Sequence, residues 1–168
     1  MKKHILFLLL PVIFILSCNS KDKNTGTPGD TATGTHPAWI MQGNIYEVNT
    51  RQYTPEGTFN AFAAHLDRLK EMGVQTIWFM PINPISKKDR KGTLGSYYAV
   101  SDYTSINPEY GNLDDWKQLV KKIHEKDMKV LIDWVPNHTG ADHPWLKSHP
   151  DFFIKDSTGQ AATMFDWT

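Results

Sequence analysis

The chain has 168 residues, with 18 Lys plus Arg against 18 Asp plus Glu, for a formal net charge of zero. That balance gives no compositional support for a nucleic-acid partner, which needs a basic excess or stripe, and a single Cys excludes a disulfide framework or a Cys-rich metal module. With 40% hydrophobic and 21% charged residues the composition is ordinary globular protein; the length admits one domain but falls short of a closed (β/α)₈ barrel, which takes about 250 residues.

Lys2 and Lys3 make a positive start, followed by the apolar run ILFLLLPVIFIL from Ile5 to Leu16. The run is shorter than the roughly 20 residues a membrane span takes and is interrupted by Pro11, so it reads as the hydrophobic region of a secretory signal peptide. Leu16-Ser17-Cys18 resembles the lipobox of bacterial lipoproteins, in which cleavage exposes the Cys for acylation. On this reading residues 1–17 are a lipoprotein signal peptide, and the protein sits in the bacterial cell envelope, anchored outside the cytoplasm by lipid on Cys18. A plain signal peptide with an incidental Cys is the alternative. Loss of residues 1–17 leaves 16 basic against 18 acidic side chains. Residues 18–36 continue with Thr, Gly, Asp and Lys and no large apolar side chain, a composition that reads as a flexible tether. The folded part is expected over 37–168.

Residues 45–50 (IYEVNT) read as a strand, and 51–57 as a loop holding Pro55 and Gly57. Thr58 is placed to cap a helix whose apolar positions Phe59, Phe62, Leu66 and Leu69 follow the 3.6-residue period, with Gly73 as its stop. Residues 74–80 (VQTIWFM) form a short apolar run before Pro81, as in a strand buried on both faces. From Asn83 to Asn112 no period appears, and the segment holds three Gly, two Pro and the aromatics Tyr97, Tyr98, Tyr103 and Tyr110. Long loops of this kind in a compact domain are commonly functional. Asn112 opens a second helix, with Asp114 and Asp115 at its positive end and Trp116, Leu119, Val120 and Ile123 as its buried stripe. Asp127 stands where a terminating Gly would strain less. Residues 129–135 (KVLIDWV) are the third strand. Strands alternating with helices argue for parallel βαβ units, whose ligands lie at the carboxyl ends of the strands.

Asp133 is a carboxylate inside an apolar strand, on one face with Leu131 and Val135. Burial obliges it to be paired, either to tie neighbouring strands together or to orient an active-site cation or sugar hydroxyl. His138, at the strand's end, offers a donor and an acceptor near neutral pH. His138, His143 and His149 are spaced by five and six, which matches neither HExxH nor finger spacings and argues against zinc. Asn137 can give an oxygen to a hard cation such as calcium.

DWVPNH, Asp133 to His138, resembles the first short signature motif of the alpha-amylase family of glycoside hydrolases. Ser96 to Val120 (SYYAVSDYTSINPEYGNLDDWKQLV) resembles that family's stretch between its second strand and second helix. Ile45 to Phe59 (IYEVNTRQYTPEGTF) resembles its first strand and loop, and Trp78 to Ile85 (WFMPINPI) its second strand. All four segments stand in the family's order. The resemblance implies a fold of class α/β, the N-terminal part (about three βα units) of a (β/α)₈ TIM barrel, incomplete. It implies that Tyr98 stacks on the sugar at the cleavage subsite, that His138 binds hydroxyls of the same sugar, and that Asp133 supports the active-site network. Asn137 matches a residue that binds calcium in many, though not all, members of that family, so the resemblance makes it a candidate calcium ligand. The family usually has Gly before that tyrosine, where this chain has Tyr97.

The family's catalytic Asp, Glu and second Asp come from the fourth, fifth and seventh strands, so no catalytic residue is expected in this chain. Glu47 and Asp133 are not taken as a catalytic pair, since nothing in the sequence sets the separation of about 5–5.5 Å that retaining hydrolysis needs. The chain is therefore expected to be a fragment of a retaining glycoside hydrolase acting on α-glucans, poly- or oligosaccharide, and inactive alone. A non-catalytic carbohydrate-binding surface lipoprotein is the alternative. A βαβ nucleotide binder is disfavoured, because no Gly-rich loop follows Thr50, Met80 or Val135.

Overall fold

In the computed structural model residues 36–163 are described, so the signal peptide, most of the tether and Cys18 lie outside the described residues. Three short strands, β1 (Ile45–Val48), β2 (Thr76–Phe79) and β3 (Lys129–Ile132), run parallel in the order β1-β2-β3. The register sets Glu47 beside Trp78 and Trp78 beside Leu131. Side chains alternate along each strand, so Glu47, Trp78 and Leu131 share one face while Val48, Phe79 and Ile132 share the other.

Helices cover the second face. Between β1 and β2 lie α1 (Thr50–Tyr53), α2 (Phe59–Ala63) and α3 (Leu66–Glu71); between β2 and β3 lies α4 (Leu113–Glu125). The four-residue α1 occupies what the sequence reads as loop, and it cuts the first strand short at Val48. The single helix expected from Phe59 onward is two. At the junction Ala64 and His65 bond to the carbonyls of Ala61 and Phe62 (3.3 and 2.9 Å), three residues back rather than four, which tightens the turn while Phe62 and Leu66 both stay buried. No Gly or Pro marks that junction. Phe79 forms the centre of the core, edge-on to Phe62 at 5.3 Å and to Trp116 of α4 at 5.1 Å, with Phe59 at 5.2 Å from Trp116.

Caps fix where the main helices begin and end. Asn112 accepts from the amides of Asp114 (2.8 Å) and Asp115 (3.0 Å), and Asp115 accepts from the amide of Asn112, a reciprocal box at the start of α4. The two helices that feed strands end alike. Gly73 bonds back to Lys70 and Val74 to Leu69, and Asp127 bonds back to His124 and Met128 to Ile123. In both, the turning residue has positive φ (82° for Gly73, 53° for Asp127) and the next side chain, Val74 or Met128, is buried.

The face carrying Glu47, Trp78 and Leu131 is open, with Ile45 and Leu131 at 58% and 44% exposure. Such a parallel sheet with helices on one face is the start of a (β/α)₈ barrel, whose interior closes only when all eight strands are present. Among the described residues no helix is long and apolar enough to cross a membrane.

The paired helix ends make opposite predictions. Asp127→Gly relieves a left-handed backbone and is expected to raise the unfolding free energy by about 0.5–1 kcal/mol. Gly73→Asp, which meets no steric obstacle within 4 Å, is expected to lower it by a similar amount in urea unfolding.

Candidate functional site

The three strands end side by side, and their following loops build one polar and aromatic rim. Asp133 extends the ladder by one bond past β3, its amide donating to the Phe79 carbonyl at 2.9 Å, so its side chain is held on the open face with Trp78. Both carboxylate oxygens are taken there. The Trp78 indole Nε1 donates to Oδ1 at 2.9 Å, and the Tyr98 hydroxyl donates to Oδ2 at 2.9 Å. One carboxylate thereby ties β2, β3 and the long second loop together. Burial pushes the Tyr98 phenol up to about 12, the bond to Asp133 and its negative charge add to this, and Glu47 pushes the same way.

His138 closes the other side of Tyr98. Its Nε2 lies 3.1 Å from the Tyr98 carbonyl oxygen, which can only accept, so Nε2 carries the proton. Asn137 Nδ2 lies 3.4 Å from His138 Nδ1. The main chain beneath is set by Tyr103, whose hydroxyl is 2.5 Å from the carbonyl oxygens of both Val135 and His138. Tyr98, Asp133 and His138 thus meet within one bonded group.

The second loop is no loose excursion. Ile85 and Val100 form an antiparallel bridge, the Gly140 amide donates to Val100 at 2.7 Å, and the Asn107 amide donates to Ile82 at 2.8 Å. A Cβ on Gly140 would stand 2.4 Å from Ser86 Cβ, so the loops after β2 and β3 touch backbone to side chain. Asp142 accepts from the amides of Lys87 (2.8 Å) and Lys88 (3.1 Å). Burial opposes its charge, yet these donors hold its carboxyl below the usual range. Asp102 is likewise lowered against its own burial, by Ser105 and Thr104, and serves to turn the loop.

The remaining histidines pack rather than converge. His143 is buried, accepts from the Trp145 amide at 3.1 Å through Nδ1, and lies 5.2 Å from the Tyr103 ring; burial lowers its pKa, against Asp102 and Asp142. His149 stacks on Phe152 at 4.8 Å. Among the described residues no group of three or more His, Cys, Asp or Glu could hold a metal. Calcium takes about six to eight oxygens, of which the exposed Asn137 side chain can give one.

Trp78 and Tyr103 are the members of this group that sequence reasoning missed. Trp78 sits two residues before Met80 in an apolar run, and only the β2–β3 register reveals that it faces Asp133.

The family model described as "Alpha amylase, catalytic domain" matches residues 15–167. Among solved structures, an alpha-amylase from Lactobacillus plantarum is 46% identical with a TM-score of 0.72, over 74% of this chain and 30% of that one. A noncanonic maltogenic alpha-amylase from Thermotoga neapolitana is 43% identical with a TM-score of 0.68, over 70% of this chain and 29% of that one. Alpha-amylase 3 of Dictyoglomus thermophilum is 34% identical over 122 residues, 68% of this chain and 23% of the relative. The chain therefore spans roughly a quarter of the length of such relatives.

Because the folded phenol titrates above its unfolded value near 10, the stability it contributes is whole below about pH 10 and is lost as pH rises toward 12. In Asp133→Asn the Tyr98 phenol is expected to titrate lower than in the unsubstituted protein. Ultraviolet titration of tyrosinate checks this, and an unshifted high-pH transition would contradict it.

Proposed function

The chain belongs to the alpha-amylase family, and from that premise we propose that it supplies the first sugar-binding wall of a retaining glycoside hydrolase acting on α-glucans. The observation that carries this reading is the convergence of Tyr98, Asp133 and His138 at the carboxyl ends of parallel strands, where barrel enzymes bind ligand. The Tyr98 ring is the flat face on which the sugar at the cleaved bond stacks. Its hydroxyl is spent on Asp133, so the ring cannot turn away without breaking a 2.9 Å bond. His138 stands beside it to hold hydroxyls of the same sugar. Asp133, with both oxygens engaged, is a support and not a nucleophile.

Retaining hydrolysis needs a nucleophilic carboxylate and an acid/base carboxyl about 5–5.5 Å apart. In this proposal both come from later strands of the complete barrel; the wall fixes the sugar so that one carboxylate attacks the anomeric carbon while the other carboxyl protonates the departing glycosidic oxygen. The Asn137 side-chain oxygen would be one ligand of a calcium ion whose remaining oxygens lie outside the described residues. The envelope location also belongs to the proposal: Cys18 carries the lipid, residues 18–36 form the tether, and residues 37–168 begin the barrel outside the cytoplasm.

Kinetics of the complete enzyme on malto-oligosaccharides test this. Tyr98→Ala and His138→Ala are each expected to lower kcat/KM by about 100-fold, and the purified 168-residue chain is expected to release no reducing sugar. Turnover by that chain alone would overturn the division of roles. Binding without turnover in the complete protein would favour a non-catalytic carbohydrate-binding lipoprotein.

A further inference from the structure

We propose that Arg51 and Tyr97 form a clasp that positions Tyr98, an inference that rests on reading Tyr98 as the sugar-stacking residue. Tyr98 lies in a segment without helix or strand, and its bond to Asp133 holds only the tip of its side chain. His138 meets its carbonyl from the other side, and the loop residues just before it, 94–97, need a hold of their own. Arg51, in α1 just after β1, reaches 44 residues along the chain to supply it. Its Nη1 and Nη2 donate to the carbonyls of Gly95 (3.5 Å) and Leu94 (3.3 Å), and Nη2 pairs with Glu109 at 3.4 Å.

The same guanidinium lies 4.6 Å over the centre of the Tyr97 ring. Tyr97 is bonded from the other end, its hydroxyl accepting from Asn49 Nδ2 at 2.8 Å. The loop immediately before Tyr98 is thus gripped at two main-chain carbonyls and one side chain by residues that follow the first strand. The Arg51 side chain is only 13% exposed, so its charge has lost much of its water. Carbonyls, a carboxylate and a ring face replace that water, while its Nε stays buried without a hydrogen-bond partner. The head is aimed at the loop even at the cost of one unpaired donor.

Tyr97 stands where the resemblance leads one to expect Gly, so the ring side of this clasp is a feature of this chain. A glycine there would remove the ring from the guanidinium and the acceptor from Asn49. Arg51 and Tyr97 touch no sugar in this scheme. They are positioning residues, acting through the place they give Tyr98.

The test uses the complete protein with Arg51→Ala, Tyr97→Gly and Tyr97→Phe, read by amide hydrogen exchange and by kinetics on malto-oligosaccharides. In Arg51→Ala and Tyr97→Gly, exchange across residues 94–98 is expected to rise about tenfold while α4 is unchanged. In the same two variants kcat/KM is expected to fall about tenfold, chiefly in kcat. Tyr97→Phe, which keeps the ring face, is expected to retain most of both. Unchanged exchange over 94–98 overturns the clasp whatever the substrate. Raised exchange with turnover within about twofold of the unsubstituted enzyme, while Tyr98→Ala lowers kcat/KM about 100-fold, overturns its positioning role. If Tyr98→Ala itself leaves turnover intact, the sugar-wall reading is what fails, and the exchange result still decides the clasp.

Discussion

A carboxylate on an apolar strand must find partners, and the rim of this sheet is arranged around that need. Asp133 leaves β3 as the last rung of the ladder, so both its oxygens point onto the open face of the sheet. Trp78 arrives from β2 through the register and Tyr98 from the long loop. Removing the carboxylate would leave a partly buried indole N–H and a partly buried phenol unpaired at once, costing more than one hydrogen bond is worth. Tyr98 then sets the place of His138 through its own carbonyl. The order of dependence runs from one strand residue to the whole candidate site.

The two faces of the sheet do different work. The helix side is closed over β1 and β2, with Phe62, Phe79 and Trp116 meeting edge to face, and this packing fixes the register that brings Trp78 and Asp133 together. The other side presents Glu47, Trp78 and Leu131, and the free edge of β3 leaves Ile132 and Trp134 at 43% and 76% exposure. Open parallel edges with apolar side chains are what a further strand covers. Precise packing on one side therefore serves chemistry on the other.

Much of this was legible in the sequence, for physical reasons. Period and caps announced α4, because Asn112 and Asp115 satisfy each other locally, and Gly73 announced the end of α3, because only its own backbone is involved. The face of Asp133 followed from strand alternation. Other features depend on residues far apart and left no local trace: Trp78 meets Asp133 across 55 positions, and Tyr103 meets the Val135 carbonyl across 32. The break between α2 and α3 was invisible, since a switch from four-residue to three-residue bonds needs no breaker. The Arg51–Tyr97 contact was equally hidden, because a stacked cation depends on loop geometry that no period encodes.

Tyr98 and His138, read as one wall of a sugar site, carry the proposed function. A crystal structure of the complete protein with a bound malto-oligosaccharide tests it most directly. A sugar ring is expected to lie flat on the Tyr98 face, with one of its hydroxyls in hydrogen-bond contact with His138 and the Tyr98–Asp133 bond intact. A saccharide bound in the barrel mouth but touching neither Tyr98 nor His138 would contradict it.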